Sequence, residues 1–294
     1  MNEYILSCSS TSDLSVDYYK KMGISWIPFH YYIDGKEYVD DFGKTLPISQ
    51  FYKKMEEGAM TKTAQISEEE YEKFFESFLK EGKDILHLTL SSGLSGTINS
   101  ATLAKSILEK KYPDRKIYVI DSLGASSGYG LLMDKLAQLK KGGMAIDDLR
   151  DYAVLNRLNL NHWFFSTDLK YYVRGGRISK ASGFIGNILH ICPLLDMDKA
   201  GKLIPMEKVR TLKKVEDALI NKMIENAKDG LNYSEKCFIS HSAFLDDAKR
   251  IAKRIEGLFP HLNGKIEIFD IGTTIGAHTG PGTIALFFFG KTRQ

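Results

Sequence analysis

Four short segments place hydroxyl, glycine, arginine and histidine residues at spacings that could do chemistry. The first is LTLSSGLSGTINSA, residues 88–101. It sets Ser91, Ser92, Ser95 and Thr97, with Gly93 and Gly96, between a strand-like run and a helix-like one. A helix start leaves backbone N–H groups unpaired and carries a partial positive charge. Glycines let an anion approach the backbone, and serine and threonine add neutral donors. The segment therefore reads as an anion cradle, or as a plain helix cap made by Ser95 or Thr97. It is not a P-loop, because no lysine follows in the GxxxxGK[ST] pattern. It contains neither GxGxxG nor GxSxG, so a dinucleotide fingerprint and a hydrolase elbow are not supported. A cradle without a fixed cation suits a singly charged anion better than a polyphosphate.

The second segment, Thr61-Lys62-Thr63-Ala64-Gln65-Ile66-Ser67, also leads into a helix. The third is GTTIGAHTGPGTIALFF, residues 272–288, with His278 just before a strand. A lone histidine is more often structural or merely exposed than functional. Here four glycines and one proline lie within eleven residues around it, a backbone shaped for close approach. The fourth is Arg174-Gly175-Gly176-Arg177-Ile178, followed by ASGFIGNILHICPLL. It reads as a helix end with basic residues near its carbonyls, or as a charged rim beside an apolar cavity. Phe184, Ile185, Ile188, Leu189, Ile191 and Leu194 are then walls of that cavity or, with the same pattern, simply core.

Strands and helices must position these segments. In the first half, strand signals at residues 4–8, 27–33, 84–90 and 116–121 alternate with helix signals at 14–22, 47–57, 68–80, 97–110 and 131–140. Alternation of this length predicts crossover connections and a mostly parallel sheet with helices on both faces. Asp34-Gly35 predicts a hairpin turn, and Ser67 with Glu70 a capping box. After a helix over 147–158, the second half mixes strands (162–166, 191–197, 203–209, 237–240, 265–269, 283–289) with helices, including a hairpin through DKAGK. The expectation is an α/β protein of two domains, residues 1–160 and 161–294, the second with a mixed sheet.

Composition narrows the partners. The 294 residues are 43% hydrophobic and 26% charged, with a net charge of +3, as in an ordinary globular protein. Neither that charge nor any basic run argues for nucleic acid. Cys8, Cys192 and Cys237 are far apart, so neither a zinc site nor a disulfide framework is indicated, and a reducing, cytoplasmic setting is expected. MNEYILSCSS lacks the pattern of a signal peptide, and the longest plain apolar run, residues 284–289, is far too short to cross a bilayer.

Taken together, these segments resemble the DegV family, the fatty-acid-binding proteins that serve as acyl carriers for fatty acid kinase. The resemblance covers essentially the whole chain. It rests on Ser9-Ser10-Thr11-Ser12-Asp13-Leu14, Thr63-Ala64-Gln65-Ile66-Ser67, residues 91–101, Gly175-Gly176-Arg177-Ile178 and His278-Thr279-Gly280-Pro281-Gly282. The chain departs from the family pattern at Ser9, where Asp is usual, and at Ala64 and Ile66, where Ser and Pro are usual. The resemblance implies a long-chain fatty acid, such as palmitate, held in a tunnel between the domains, with no cofactor and no metal. It implies that Thr63, Ser95 and His278 meet the carboxylate, with the N–H of Gly96 as a further donor. Arg177 and Arg210 resemble basic positions at the tunnel mouth that meet a separate ATP-binding kinase subunit. A contrasting expectation is a small-molecule enzyme of the dihydroxyacetone-kinase-like fold class, with His278 acting on a polar substrate in a compact pocket.

Overall fold

The computed structural model describes residues 3–182 and 191–294. Strand β1 (Tyr4–Ser9) is buried almost throughout, as a strand covered on both faces should be. Helix α1 (Val16–Met22) starts where Ser15 Oγ accepts the Tyr18 N–H, and ends at Gly23 in the left-handed conformation. Strand β2 (Ile24–Ile27) returns parallel to β1. The apolar run expected to form one strand over 27–33 is broken by Pro28, which has no N–H for a ladder. The chain then enters a different sheet as β3 (His30–Ile33).

From β3 it turns through Asp34 and Gly35, both at positive φ (49° and 83°), into antiparallel β4 (Lys36–Val39). That is the geometry two-residue hairpins prefer. After α2 (Ile48–Glu56), β5 (Thr61–Ala64) pairs with the other edge of β3, giving a three-stranded antiparallel sheet. The second hydroxyl segment is therefore partly strand. Helix α3 (Glu68–Lys80) opens beyond it on the expected capping box of Ser67 and Glu70. Strand β6 (Asp84–Thr89), α4 (Thr97–Lys111) and β7 (Ile117–Asp121) complete a parallel sheet of order β2-β1-β6-β7.

Helix α5 (Ser126–Lys141) begins earlier than its apolar pattern indicates, because glycine propensity argues against helix. Its glycines serve packing instead. A Cβ on Gly128 would overlap the His162 ring and Phe287, and one on Gly130 would lie 2.8 Å from the Ser12 carbonyl oxygen. The helix is thus wedged between the two halves of the chain. Helix α6 (Ile146–Asn156) leads to β8 (Leu160–Ser166) and the short α7 (Lys170–Arg174).

Strands β9 (Ile191–Met197) and β10 (Leu203–Arg210) form the expected hairpin. Helix α8 (Leu212–Asn226), β11 (Phe238–His241), α9 (Leu245–Leu258), β12 (Glu267–Asp270), α10 (Thr273–Thr279) and β13 (Thr283–Phe289) follow. The second sheet is mixed, of order β10-β9-β8-β13-β11-β12, with only β11 and β12 parallel among its described pairs. The glycine-rich stretch around His278 is the short helix α10 rather than a loop. Among the described residues no helix is long and apolar enough to cross a membrane.

Candidate functional site

The mixed sheet supplies one wall of a cavity through its register. Phe287 lies opposite His162, and Ala285 and Leu195 both lie opposite Phe164. Side chains alternate faces along a strand. His162, Phe164, Ala285, Phe287 and Met197 therefore share one face, and all five line a cavity of about 410 Å³, within the usual range for small-molecule sites. The first half of the chain closes it with Phe29, Leu90, Leu94 and the start of α5. Leu194 is placed differently from the expectation. It pairs with Phe165 on the opposite face of the sheet and is fully buried in the core. Ile191 opens β9 opposite Arg210. Phe184, Ile185, Ile188 and Leu189 lie outside the described residues.

Polar groups interrupt this apolar lining. Thr63, Gln65, Ser95, Gly96, Arg177 and His278 all line it. Thr63 comes from edge strand β5 and His278 from the last turn of α10, and Thr63 Oγ1 lies 2.8 Å from His278 Nε2. The end of α10 is fixed nearby, where Thr61 Oγ1 donates to the Ala277 carbonyl at 3.0 Å. His278 Nδ1 is buried without a hydrogen-bond partner among the described residues and faces Gly175, where a Cβ would overlap it. Burial first, then the Arg177 and Arg174 charges, bring the His278 pKa down to about 3. The ring is neutral at pH 7 and carries one proton. With that proton on Nε2, His278 donates to Thr63 Oγ1 and turns the threonine hydroxyl hydrogen toward the cavity. Such a relay presents a neutral donor to an anion.

The hydroxyl-rich loop before α4 divides its labour. Ser91 Oγ donates to the Gly201 carbonyl at 2.8 Å and accepts the Gly93 N–H at 3.1 Å. It fastens the loop to the β9–β10 turn, and a Cβ on Gly93 would sit 2.5 Å from the Gly201 oxygen. Thr97 is buried against the Tyr71 hydroxyl, 3.0 Å away. Ser92 is exposed. Of the four hydroxyls expected in an anion cradle, only Ser95 lines the cavity. Its Oγ also accepts the Thr97 N–H at 3.3 Å, while the N-cap of α4 is Gly96. Gly96 abuts Gln65, and a Cβ there would be 2.8 Å from Gln65 Oε1.

Arg177 is half-buried in the cavity wall. Its guanidinium donates to the Leu94 carbonyl at 2.8 Å and the Gly175 carbonyl at 2.5 Å. Burial pushes its pKa down from the usual arginine range. Arg210 ends β10 on the exposed surface and does not line the cavity. The departures at Ser9 and Ile66 have local consequences. Ser9 Oγ sits 2.7 Å from Thr11 Oγ1 and 2.8 Å from the Tyr129 hydroxyl, and Ile66 is fully buried in the main core.

Several lining residues carry no sequence signal of their own. Phe29, Phe164, Tyr172, Ile275 and Phe287 line the cavity. In HWFFS and TIALFFF both faces of the strand are apolar, so period-two alternation cannot mark the face that meets a cavity. Among the described residues no cluster of histidine, cysteine and carboxylate side chains could hold a metal ion.

Comparisons with known proteins identify the family and the fold. Residues 8–291 match a family model described as an uncharacterised protein of the DegV family. A DegV domain-containing protein of Clostridium perfringens is 36% identical over 100% of both chains. A fatty acid-binding protein of Thermotoga maritima is 34% identical, covering 94% of this chain and 93% of its own. Among solved structures, a DegV lipid binding protein of Thermotoga maritima superposes with a TM-score of 0.83 at 30% identity, over 99% of this chain and 100% of its own. The fatty acid kinase (Fak) B3 protein of Streptococcus pneumoniae, loaded with linoleic acid, has a TM-score of 0.84 at 23% identity, over 98% and 100%. That last likeness is one of fold.

Proposed function

We propose that this chain, which belongs to the DegV family, binds a long-chain fatty acid in the cavity beside its mixed sheet and presents the carboxylate to a separate kinase for acyl phosphate formation. The observation that carries the reading is an apolar cavity with two neutral hydroxyl donors in its wall, Ser95 and Thr63, the latter backed by His278. A buried carboxylate without donors is very costly, and these side chains supply them. The acyl chain supplies affinity. At about 0.8 kcal/mol per buried methylene, a chain of roughly sixteen carbons gains on the order of 11 kcal/mol before ordering costs.

The fatty acids in solved relatives, such as the stearic acid of a protein from Eubacterium ventriosum at 25% identity, favour this ligand class. The pneumococcal neighbour's description favours a kinase partner, for which Arg210 and the region around Arg177 are the proposed contacts. We place the domain boundary near residue 160, where α6 gives way to β8. An enzyme using His278 as its base fits less well. One ring nitrogen is committed to Thr63, and the other faces the backbone at Gly175.

The reading is tested by native mass spectrometry of protein purified from a bacterial host, with extraction of bound lipid. Co-purified long-chain acid is expected, as is transfer of phosphate to that acid when a bacterial fatty acid kinase and ATP are added. Protein that stays ligand-free and has no measurable affinity for C14–C18 acids overturns it.

A further inference from the structure

Two of the buried carboxyl groups, those of Asp13 and Asp40, lie beside segments that line the cavity without lining it themselves. Asp13 follows β1 with φ 49°, and Asp40 follows β4; both are almost fully buried. Each uses both oxygens. Asp40 Oδ1 accepts from Thr273 Oγ1 at 2.8 Å, and its Oδ2 accepts from Ser10 Oγ at 3.0 Å. Asp13 Oδ1 accepts the Gly272 N–H at 3.0 Å, and its Oδ2 accepts from Ser126 Oγ at 2.5 Å. Every one of these partners is an uncharged hydroxyl or amide. Such a pair is costly to bury, and breaking one member of a satisfied buried network costs more than an average hydrogen bond.

The position of the pair gives that cost a purpose. Gly272 and Thr273 form the first turn of α10, the helix that carries Ile275, His278 and Thr279 into the cavity. Ser126 opens α5 and lines the cavity. Ser10 Oγ accepts the N–H of Phe29, another lining residue, at 3.1 Å, and Asp40 N–H donates to the Phe29 carbonyl at 2.8 Å. Three separate cavity segments are thus keyed to one pair of acids. Gly272 approaches so closely that a Cβ there would lie 2.7 Å from Asp13 Oδ1. The other end of α10 is tied to β5 through the hydroxyls of Thr61 and Thr63. A helix of two turns pinned at both ends has little freedom to rotate, and His278 is set by where its first turn is fixed.

We propose that Asp13 and Asp40 are positioning residues that lock the first turn of α10 and so hold His278 in register with Thr63 for recognition of a ligand carboxylate. This rests on the fatty-acid reading of the cavity. A merely structural role would change stability alone. A positioning role changes discrimination between head groups.

The test compares dissociation constants for hexadecanoic acid and hexadecan-1-ol, measured by displacement of a fluorescent fatty acid. Wild type is compared with Asp40→Asn, Thr273→Val and Ser10→Ala, with melting temperatures alongside. In Thr273→Val and Asp40→Asn the acid-over-alcohol preference is expected to fall roughly fivefold, about one hydrogen bond's worth. Alcohol affinity should stay within about twofold of wild type, and Thr273→Ser should restore the preference. Folded variants with the wild-type preference overturn the proposal, whatever happens to their melting temperatures. If Asp40→Asn does not fold, Thr273→Val and Ser10→Ala decide the matter, since each removes one donor and leaves both acids in place. Wild type that binds neither ligand overturns the fatty-acid reading itself, and the proposal with it.

Discussion

Replacing Gly175 by alanine tests the polar end of the cavity by shape alone. Gly175 has φ −76°, a conformation any residue adopts, so alanine brings no backbone strain. Its methyl group would, however, overlap His278 Nδ1. One of the two must move. Gly175 is tied by its N–H to the Tyr171 carbonyl at 2.9 Å, and its own carbonyl accepts from Arg177. The imidazole is the softer partner, held in the cavity by one bond to Thr63 at 2.8 Å. Loss of that bond costs about 1 kcal/mol, and forcing a methyl into a filled space costs roughly 1–3 kcal/mol more in stability. Affinity for a long-chain acid should fall about five- to tenfold. Affinity for the matching alcohol should change little, and the melting temperature should drop by a few degrees. Isothermal titration of both ligands, with a thermal melt, reads all three quantities. A Gly175→Ala protein that binds the acid as wild type does would show that the Thr63–His278 contact does not orient the head group.

Four further outcomes follow from the same geometry. Thr63→Val and Ser95→Ala each remove one neutral donor, so each should weaken acid over alcohol binding by about fivefold and lower phosphate transfer by at least as much. Transfer unchanged in both would remove these residues from the head-group site. Ala285→Leu fills space between Phe164 and Phe287, excluding methylenes worth about 0.8 kcal/mol each, so preference should shift to shorter acids in a competition of mixed chain lengths. Burial raises Asp13 well above the usual carboxylate range and also raises Asp40, with Asp270, Tyr52, Tyr19 and Tyr129 facing them. The folded state keeps protons that the unfolded chain has lost, so this contribution to stability is present at low pH and declines as pH rises above about 4. His162 and His278, both lowered by burial, act in the opposite direction below about pH 6.5. The pair is therefore read from the difference between wild type and Asp40→Asn in melts from pH 4 to 8, and that difference should shrink as pH rises. Finally, a carboxylate held by neutral, buried donors is poorly screened, so acid affinity between 50 and 500 mM salt should vary less than about twofold by titration.

Much of the architecture was legible because local signals agreed with the global fold. Alternating strands and helices in the first half, the Asp34-Gly35 turn, the Ser67–Glu70 capping box and the β9–β10 hairpin all stand where residue patterns put them. Where reading failed, long-range packing had overridden local propensity. Glycines that argue against helix at Gly128 and Gly276 sit in α5 and α10, because each lets a side chain from elsewhere approach, Gly276 meeting the Tyr52 ring. The cavity wall was harder. Thr63, Ser95 and His278 were named together through the family resemblance, and the meeting of Thr63 with His278 depends on β5 pairing with β3 and on α10 being a helix. Leu194 shows the limit. An all-apolar strand conceals its parity, and only register with Phe165 tells core from cavity. Asp13, which stands just before the helix signal at 14–22, is a buried acid, which no local pattern announces.

The charges around the cavity explain why its polar end is built from hydroxyls. Arg177 is near enough to bias His278 toward neutrality, yet its guanidinium donates to two backbone carbonyls. An arginine facing the ligand would grip a carboxylate through two charge-assisted bonds and cover both of its oxygens. One of those oxygens must remain free if the acid is to attack a phosphoryl donor. In the proposed reading, neutral donors would hold the head group through orientation, leaving most of the affinity to the acyl chain and the nucleophile uncovered. The same logic favours a neutral His278, since an imidazolium beside the carboxylate would stabilise the anion and lower its nucleophilicity. Burial under Gly175 and the two neighbouring arginines drives the ring to that state, so the packing that places His278 also sets its protonation.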